Sequence, residues 1–319
     1  MRHSLYVVFF WCSLFFTSCN DGSPRSVSNE INKINCENKT SVKVDLNPQW
    51  GIDELTGIKD GSLVCKSSQG EYFYYVFNIK DFSLEKSFGV RGNGKDEWGA
   101  PCLLLSQERG ISYVLDNAKD KMTILKDYSI SEVTASPFNG VANQPKLFGK
   151  YLCFADEKPN KIVFRLNEFK TNKNLAFVEF EDKQNKGNSY LDAFVYDIND
   201  EFVVLAQNLK DCFEVYRLSP DSRLRQVCEV KGDGLTDEDK YIYYSSVVIN
   251  GDNVYLLSQR HVDISNQSGY SSIEVYGLDG KALRNIRLDF IASHMVMNAA
   301  DHTLYLLSAL EGSLHVVKL

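Results

Sequence analysis

Between Ser272 and Leu288 the chain reads S-I-E-V-Y-G-L-D-G-K-A-L-R-N-I-R-L, two runs of β-branched and aromatic residues flanking Leu278-Asp279-Gly280-Lys281. Asp-Gly at such a centre favours a tight primed turn, because both residues tolerate positive φ, so the runs are predicted to fold back as an antiparallel hairpin. Weaker copies lie at Tyr72 to Phe88, Met122 to Val133, Lys161 to Phe180 and Cys212 to Val230. A chain that repeats this unit must bury one hairpin against the next, which confines it to stacked sheets.

Each copy follows a tight polar turn and a strongly apolar strand. The apolar strands read Ser62 to Lys66, Ile111 to Asp116, Tyr151 to Asp156, Phe202 to Gln207, Val254 to Gln259 and Thr303 to Ser308. Six units with a period of about 45–50 residues match four-stranded propeller blades. Apolar residues on both faces of these strands agree with sheets packed on both sides. No segment sustains a helical period, so the chain is all-β. The last repeat ends on its third strand, at Leu314 to Leu319, while Thr40 to Leu46 alternates as an orphan strand before the first repeat. The expectation is a six-bladed β-propeller over residues 40–319, its ring closed by that N-terminal strand; the alternative for Thr40 to Leu46 is a frayed leader.

The other end of the chain carries an address. Arg2 and His3 precede an apolar run from Leu5 to Phe16, too short for the ~20 residues of a spanning helix. It meets Phe16-Thr17-Ser18-Cys19, which resembles the lipobox of bacterial lipoproteins, with Phe16 where the pattern usually has Leu. The resemblance implies a signal peptide over residues 1–18, lipidation of Cys19 and an address in the cell envelope, on the periplasmic side of the outer membrane or the cell surface. An ordinary signal peptide cut elsewhere is the alternative. Residues 19–39, polar and without apolar period, read as a flexible tether spanning on the order of 25 Å. Six cysteines remain in an oxidising compartment. Cys65 and Cys153 sit at matching places and read as small core residues. Cys212 and Cys228 lie on the two arms of one hairpin, where a register opposing them would permit a disulfide.

The first blade junction, Phe88-Gly89-Val90-Arg91-Gly92-Asn93-Gly94-Lys95-Asp96-Glu97-Trp98-Gly99-Ala100-Pro101, is similar to that of TolB-like six-bladed β-propeller lipoproteins of Gram-negative envelopes. Gly89, Gly92, Gly94, Glu97 and Pro101 match that pattern; Lys95, Asp96 and Trp98 depart from it. The resemblance implies the fold and the location and no catalytic residue. A phosphate-cradling loop would need a helix after the glycines, and none is predicted; Trp98 reads instead as a buried plug or as an exposed binding anchor.

The net charge of −7 argues against nucleic acid and against bulk attraction to anionic lipid, leaving the lipid anchor as the membrane contact. Long connections fall on one face of the ring, at Ser87 to Pro101, Glu181 to Asp192, Lys231 to Tyr244 and Arg260 to Tyr270. Function concentrates on such loops, and Arg91, Glu97, Trp98, Arg260 and His261 are the candidate binding residues there. Lys66, Asp116, Asp156, Gln207, Gln259 and Ser308 end the apolar strands and are expected to ring the channel mouth. His294, His302 and His315 read as structural. Two functions stay open. One is a monomeric, non-enzymatic module that binds an envelope protein, peptide or glycan and needs no cofactor. The other is a metal-dependent hydrolase or lyase in which Asp116, Asn117, Asp156 and Glu157 supply oxygen ligands to a divalent cation such as calcium.

Overall fold

The computed structural model describes residues 24–138, 143–158, 161–181, 194–232, 242–263 and 265–319. The expected signal peptide and Cys19, and most of the connections at Glu181 to Asp192 and Lys231 to Tyr244, lie outside these residues. The chain begins with β1 (Arg25–Ser28), a single 3-10 turn at Ile31–Lys33, β2 (Cys36–Asn38) and β3 (Val42–Asp45). Blade 1 follows as β4 (Ile52–Lys59), β5 (Ser62–Ser67), β6 (Tyr72–Asn78) and β7 (Leu84–Val90), and blade 2 as β8 (Pro101–Leu105), β9 (Ile111–Asp116), β10 (Lys121–Lys126) and β11 (Ser129–Ala135). Blade 3 comprises β12 (Asn143–Phe148), β13 (Tyr151–Lys158), β14 (Lys161–Glu168) and β15 (Asn174–Glu181); blade 4 comprises β16 (Phe194–Ile198), β17 (Phe202–Gln207), β18 (Cys212–Leu218) and β19 (Leu224–Lys231). Blade 5 is β20 (Tyr244–Asn250), β21 (Asn253–Asp263), β22 (Ser268–Gly277) and β23 (Ala282–Arg287), and blade 6 opens with β24 (His294–Asn298), β25 (Thr303–Ser308) and β26 (Ser313–Lys318).

These strands form six antiparallel sheets, each in chain order, and β3 supplies the fourth strand of blade 6. Val42 pairs with Val316 and Asp45 with Ser313, so the predicted ring closure is present. First strands of neighbouring blades touch side by side around the axis, β4 against β8 and β24, and β20 against β16 and β24. The second strands are the most buried layer, with Val203, Val204, Leu205 and Leu256 fully covered. Apolar side chains leave both faces of each blade and fill the wedges between neighbours.

Three expectations are corrected. Residues 25–38 are no free tether: β1 pairs in parallel with β19 as a fifth strand of blade 4, and β2 pairs in parallel with β23 as a fifth strand of blade 5. Between them Ile31, 1 % exposed, drops into the wedge between the two blades. Asn29 donates to Asp211 at 2.9 Å, and Arg284 grips Glu37 through two hydrogen bonds of 3.1 and 2.9 Å. The Asp-Gly turn is also not a primed one. Only Gly280 takes positive φ, at 84°, and its N–H closes on the Gly277 carbonyl at 2.9 Å, a turn with one left-handed residue at its end.

The third correction concerns Cys212 and Cys228, which are free thiols. Cys212 stands opposite Lys231 and Cys228 opposite Val215, three residues out of register. Because side chains alternate across a sheet, three positions put the two thiols on opposite faces.

Candidate functional site

The first strands line a central cavity of about 560 Å³. Toward the short-turn face its lining includes Ile58, Leu105, Leu147, Val248 and Met297, with Asp197 at the matching place on blade 4. Toward the long-loop face the lining turns polar, with Glu54, Thr56, Lys66, Cys102, Gln144, Ser245 and His294. The site is therefore a cup whose short-turn end is mostly apolar, apart from Asp197 and Lys146, and whose long-loop end is polar. Lys66 and Glu54 form an ion pair at 3.0 Å across β4 and β5. Burial pulls the Lys66 ammonium down, and Glu54 outweighs it, so lysine stays charged above its ordinary value. Burial pushes the Cys102 thiol up, against the nearby Lys66, which keeps it protonated and unreactive at neutral pH. Thr56 Oγ1 is buried in the wall and has no hydrogen-bond partner among the described residues. Lys146 donates to the Tyr196 carbonyl at 2.7 Å and meets Asp197 at 3.3 Å lower in the cup.

Of the six residues expected at the mouth, only Lys66 lines the cavity. The apolar strands stand second from the axis, so their ends are covered by the first strands. Asp116, 2 % exposed, accepts from the backbone N–H groups of Gly99, Ala100 and Ala118 at 2.9, 3.0 and 3.1 Å. Asp156 is ion-paired with Arg165 at 2.5 Å. Gln259 is buried and bridges Ser245 and the Ala292 carbonyl, Ser308 is fully buried, and Gln207 is half-buried. Asn117 points its amide at the Cys102 sulfur, 3.7 Å away, and the Glu157 side chain lies outside the described residues. The two aspartates proposed as calcium ligands thus already serve protein donors on separate blades.

The five candidates on the long-loop face separate in the same way. The Arg91 guanidinium bonds the Gly70 and Ser67 carbonyls and lies 3.8 Å over the Phe73 ring. Glu97 curls back to accept the Gly94 N–H at 2.6 Å, filling the space that side chains at positions 92 and 94 would take. Trp98, 4 % exposed, packs on Tyr74 and Phe88 and over Gly89. Arg91, Glu97 and Trp98 are therefore packed into one folded junction. Arg260 is held at 2.8 Å from Asp211 and 3.5 Å from Glu274, both buried. Burial works against its charge, and Glu274 and Asp211 more than restore it. Burial raises the Glu274 carboxyl, Arg260 opposing. Only His261 stays exposed, on the hairpin of β21 and β22, stacked 4.8 Å from Tyr270. Burial lowers it, helped by the positive charges of Arg260 and Arg287. The stretch from Arg260 is thus largely paired strand rather than loop.

Of the remaining histidines, His294 belongs to the cup, His302 meets Asn250 at 3.1 Å, and His315 stacks on Phe290 at 3.6 Å. A cluster missed from the sequence lies on blade 4, where the Cys212 sulfur and the Glu214 and Glu229 carboxylates come within 4.8 Å of one another. Its signal was present: Cys212, Glu214 and Tyr216 put polar groups at every second position of an apolar strand, and Glu214 stands directly opposite Glu229. A divalent cation could be held by the thiol and two carboxylates, but Lys231 already pairs with Glu229 at 2.9 Å and the Tyr216 hydroxyl donates to Glu214. Burial first, and Glu229 after it, raise the Glu214 carboxyl above its ordinary 4.5, while burial pushes the Cys212 thiol up to about 12. A raised carboxyl favours the fold below its unfolded value and loses that contribution as pH rises through the folded one. Glu214→Gln is accordingly expected to stabilise the protein at neutral pH, with the gain vanishing below the ordinary glutamate value. Melting curves recorded on both sides of that value check it, and an equal difference at both would contradict the assignment.

No protein-family model and no curated protein matches the chain by sequence. Solved propellers do match its backbone. A putative exported protein from Bacteroides fragilis is similar with a TM-score of 0.57 at 11% identity, covering 92% of this chain and 99% of the other. A member of the DUF4221 family from Bacteroides vulgatus gives 0.55 at 14% identity over 89% and 97%. The β-propeller domain of Cps50 (Swd1) from Myceliophteria thermophila gives 0.57 at 8% identity over 88% and 100%. At these identities the likeness is one of fold.

Proposed function

We propose that this protein is a non-enzymatic binding module of the cell envelope, related to TolB-like propeller lipoproteins, anchored through lipid on Cys19 and recognising a protein, peptide or glycan at the polar rim of its cup. The carrying observation is the cup itself: a cavity of about 560 Å³ that combines apolar walls with the Glu54–Lys66 and Lys146–Asp197 pairs suits a moiety with both apolar and hydrogen-bonding faces. Two further points support the reading. Asp116 and Asp156, on which the metal-dependent rival depends, are occupied by backbone N–H groups and by Arg165. The fold neighbour from Bacteroides fragilis carries the description of a putative exported protein, which accords with the signal-like N-terminus.

The test removes Glu54 and Lys66 together, so that neither charge is stranded. The double Ala variant is expected to melt like the wild type while capture of peptide or glycan ligands from envelope-derived libraries falls about tenfold, the loss of one charge-assisted recognition pair. Undiminished capture would overturn the cup as the site. Calcium bound stoichiometrically, and lost in Asp116→Ala and Asp156→Ala proteins, would favour the hydrolase or lyase instead. Cys19→Ala is expected to shift the protein from the membrane to the soluble fraction.

A further inference from the structure

Resting on the reading of the cup as the binding site, we infer that its ligand is a short free peptide of about three residues, with its ammonium end on Glu54 at the mouth and its carboxylate end on Lys146 deeper in the far wall. The first observation is where the two ion pairs of the cup stand. Glu54 and Lys66 belong to blade 1 and Asp197 to blade 4, which face each other in a ring of six, and Lys146 reaches Asp197 from blade 3. Glu54 stands opposite Lys66, the fifth residue of β5, and Asp197 opposite Val204, the third of β17. Two positions of a strand put the second pair about 7 Å deeper. One amino acid spans about 3.5 Å. The depth alone therefore takes two residues, and crossing the channel takes a third.

The second observation is which hydrogen-bonding positions stay open. Asp197 has committed both oxygens, Oδ1 to Lys146 at 3.3 Å and Oδ2 to the Ile249 N–H at 2.8 Å. Among the described residues, Glu54 accepts only from Lys66, at 3.0 Å through Oε2, which leaves Oε1 for the ammonium group of a ligand. Lys146 spends two of its three N–H groups, on the Tyr196 carbonyl and on Asp197, and the third is free to meet a carboxylate. The Glu54 and Lys146 side chains are 40 and 44 % exposed, so a ligand reaches both without opening the wall. Ion pairs this open are weak in themselves, and sharing them with ligand charges costs little.

The third observation separates a peptide from a glycan. A sugar is gripped largely by laying the apolar face of its ring on an exposed aromatic ring. Tyr74 and Tyr196, the phenol rings of the lining, are 0 and 2 % exposed. Their hydroxyls are spent on the Pro101 carbonyl at 3.0 Å and the Cys153 carbonyl at 2.8 Å. Ile58, Leu105 and Met297 offer aliphatic surface instead, which suits small apolar side chains between two charged ends.

Trialanine, N-acetyl-trialanine, trialanine amide, free alanine and a neutral trisaccharide are titrated calorimetrically into the purified full-length chain at neutral pH. Trialanine is expected to bind, and blocking either end to weaken it on the order of tenfold, the loss of one charge-assisted hydrogen bond. The trisaccharide is expected to give no signal. In Lys146→Met the free acid and the amide should bind alike while acetylation still weakens binding; in Glu54→Gln the pattern should reverse. Melting curves show whether each variant is folded, and the blocked peptides on the wild-type protein decide the matter without either. Equal binding of free and blocked peptides, no binding of trialanine, or a preference for the trisaccharide would overturn the peptide class. Alanine bound as tightly as trialanine would place both charges on Glu54 and Lys66 and overturn the span. If library capture still depends on Glu54 and Lys66 in those cases, the cup stands and only its ligand class falls; capture indifferent to that pair removes the cup, and the peptide with it.

Discussion

Deletion of residues 25–38 is expected to lower the unfolding free energy by on the order of 5 kcal/mol, far more than a tether of that length should matter. Ile31 alone, fully enclosed by Val204, Phe213, Val230 and Tyr276 among others, accounts for about 2–5 kcal/mol when its side chain is cut back to alanine. Removing the segment also strips the parallel hydrogen bonds from the edges of β19 and β23, and uncovers Cys228 and Ile286, which are now nearly inaccessible. Asp211 would lose the Asn29 amide, leaving its charge to Arg260 and the Tyr244 hydroxyl. Thermal and denaturant unfolding of a protein lacking residues 20–23 provides the comparison. Equal stability of the two truncations would show that β1, the 3-10 turn and β2 add nothing to the ring.

Trp98→Ala is expected to cost about 3–5 kcal/mol, the range for deleting a buried large aromatic side chain. The indole closes the junction from blade 1 to blade 2 against Tyr74 and Phe88, with ring centroids 6.3 and 6.1 Å away, and Gly89 lies beneath it at φ 78°. A methyl group on Gly89 would overlap that ring, so Gly89→Ala should fail in the same way, through both crowding and a backbone angle that L residues avoid. The indole is almost inaccessible, so Trp98→Ala should leave ligand capture intact below its lowered melting temperature. An unchanged melting curve for Trp98→Ala would contradict burial of the plug.

Hydrophobic period marks the second strands plainly. Phe202–Gln207, Ile111–Asp116 and Thr303–Ser308 fall on the strands expected for them residue for residue, because a strand buried on both faces leaves a continuous apolar run between turn residues. The segment from β1 to β2 escaped because parallel edge pairing is made by backbone atoms. Arg25, Ser26 and Ser28 show no apolar alternation, and one buried side chain, Ile31, holds the segment to the core. The cup escaped for a different reason. Its lining comes from first strands, whose axis-facing positions mix Glu54, Thr56 and Lys146 with Leu105 and Met297, so that no run of one character marks them. Polar ends of the second strands drew attention because they stand out against apolar neighbours, yet Asp116 and Gln259 are polar in order to satisfy backbone and loop groups inside the protein. Arg260 was read as a recognition residue from its place in an apparent loop; its partners Asp211 and Glu274 are 49 and 14 positions away by residue number, and no local pattern reports them.

Pairing of β1, β2 and β3 with blades 4, 5 and 6 sets the order in which the molecule can assemble. Arg25 waits for Cys228, Cys36 for Asn285 and Val42 for Val316, so the residues synthesised first find their partners only after most of the chain has been made. Blades 1 to 3 can form from neighbouring hairpins meanwhile, but the outer edges of blades 4 and 5 and the gap in blade 6 stay open until the start of the chain returns to them. Contacts of such long sequence separation form slowly, and open strand edges aggregate. Folding therefore ends with a period in which these open strand edges are vulnerable to pairing with another copy.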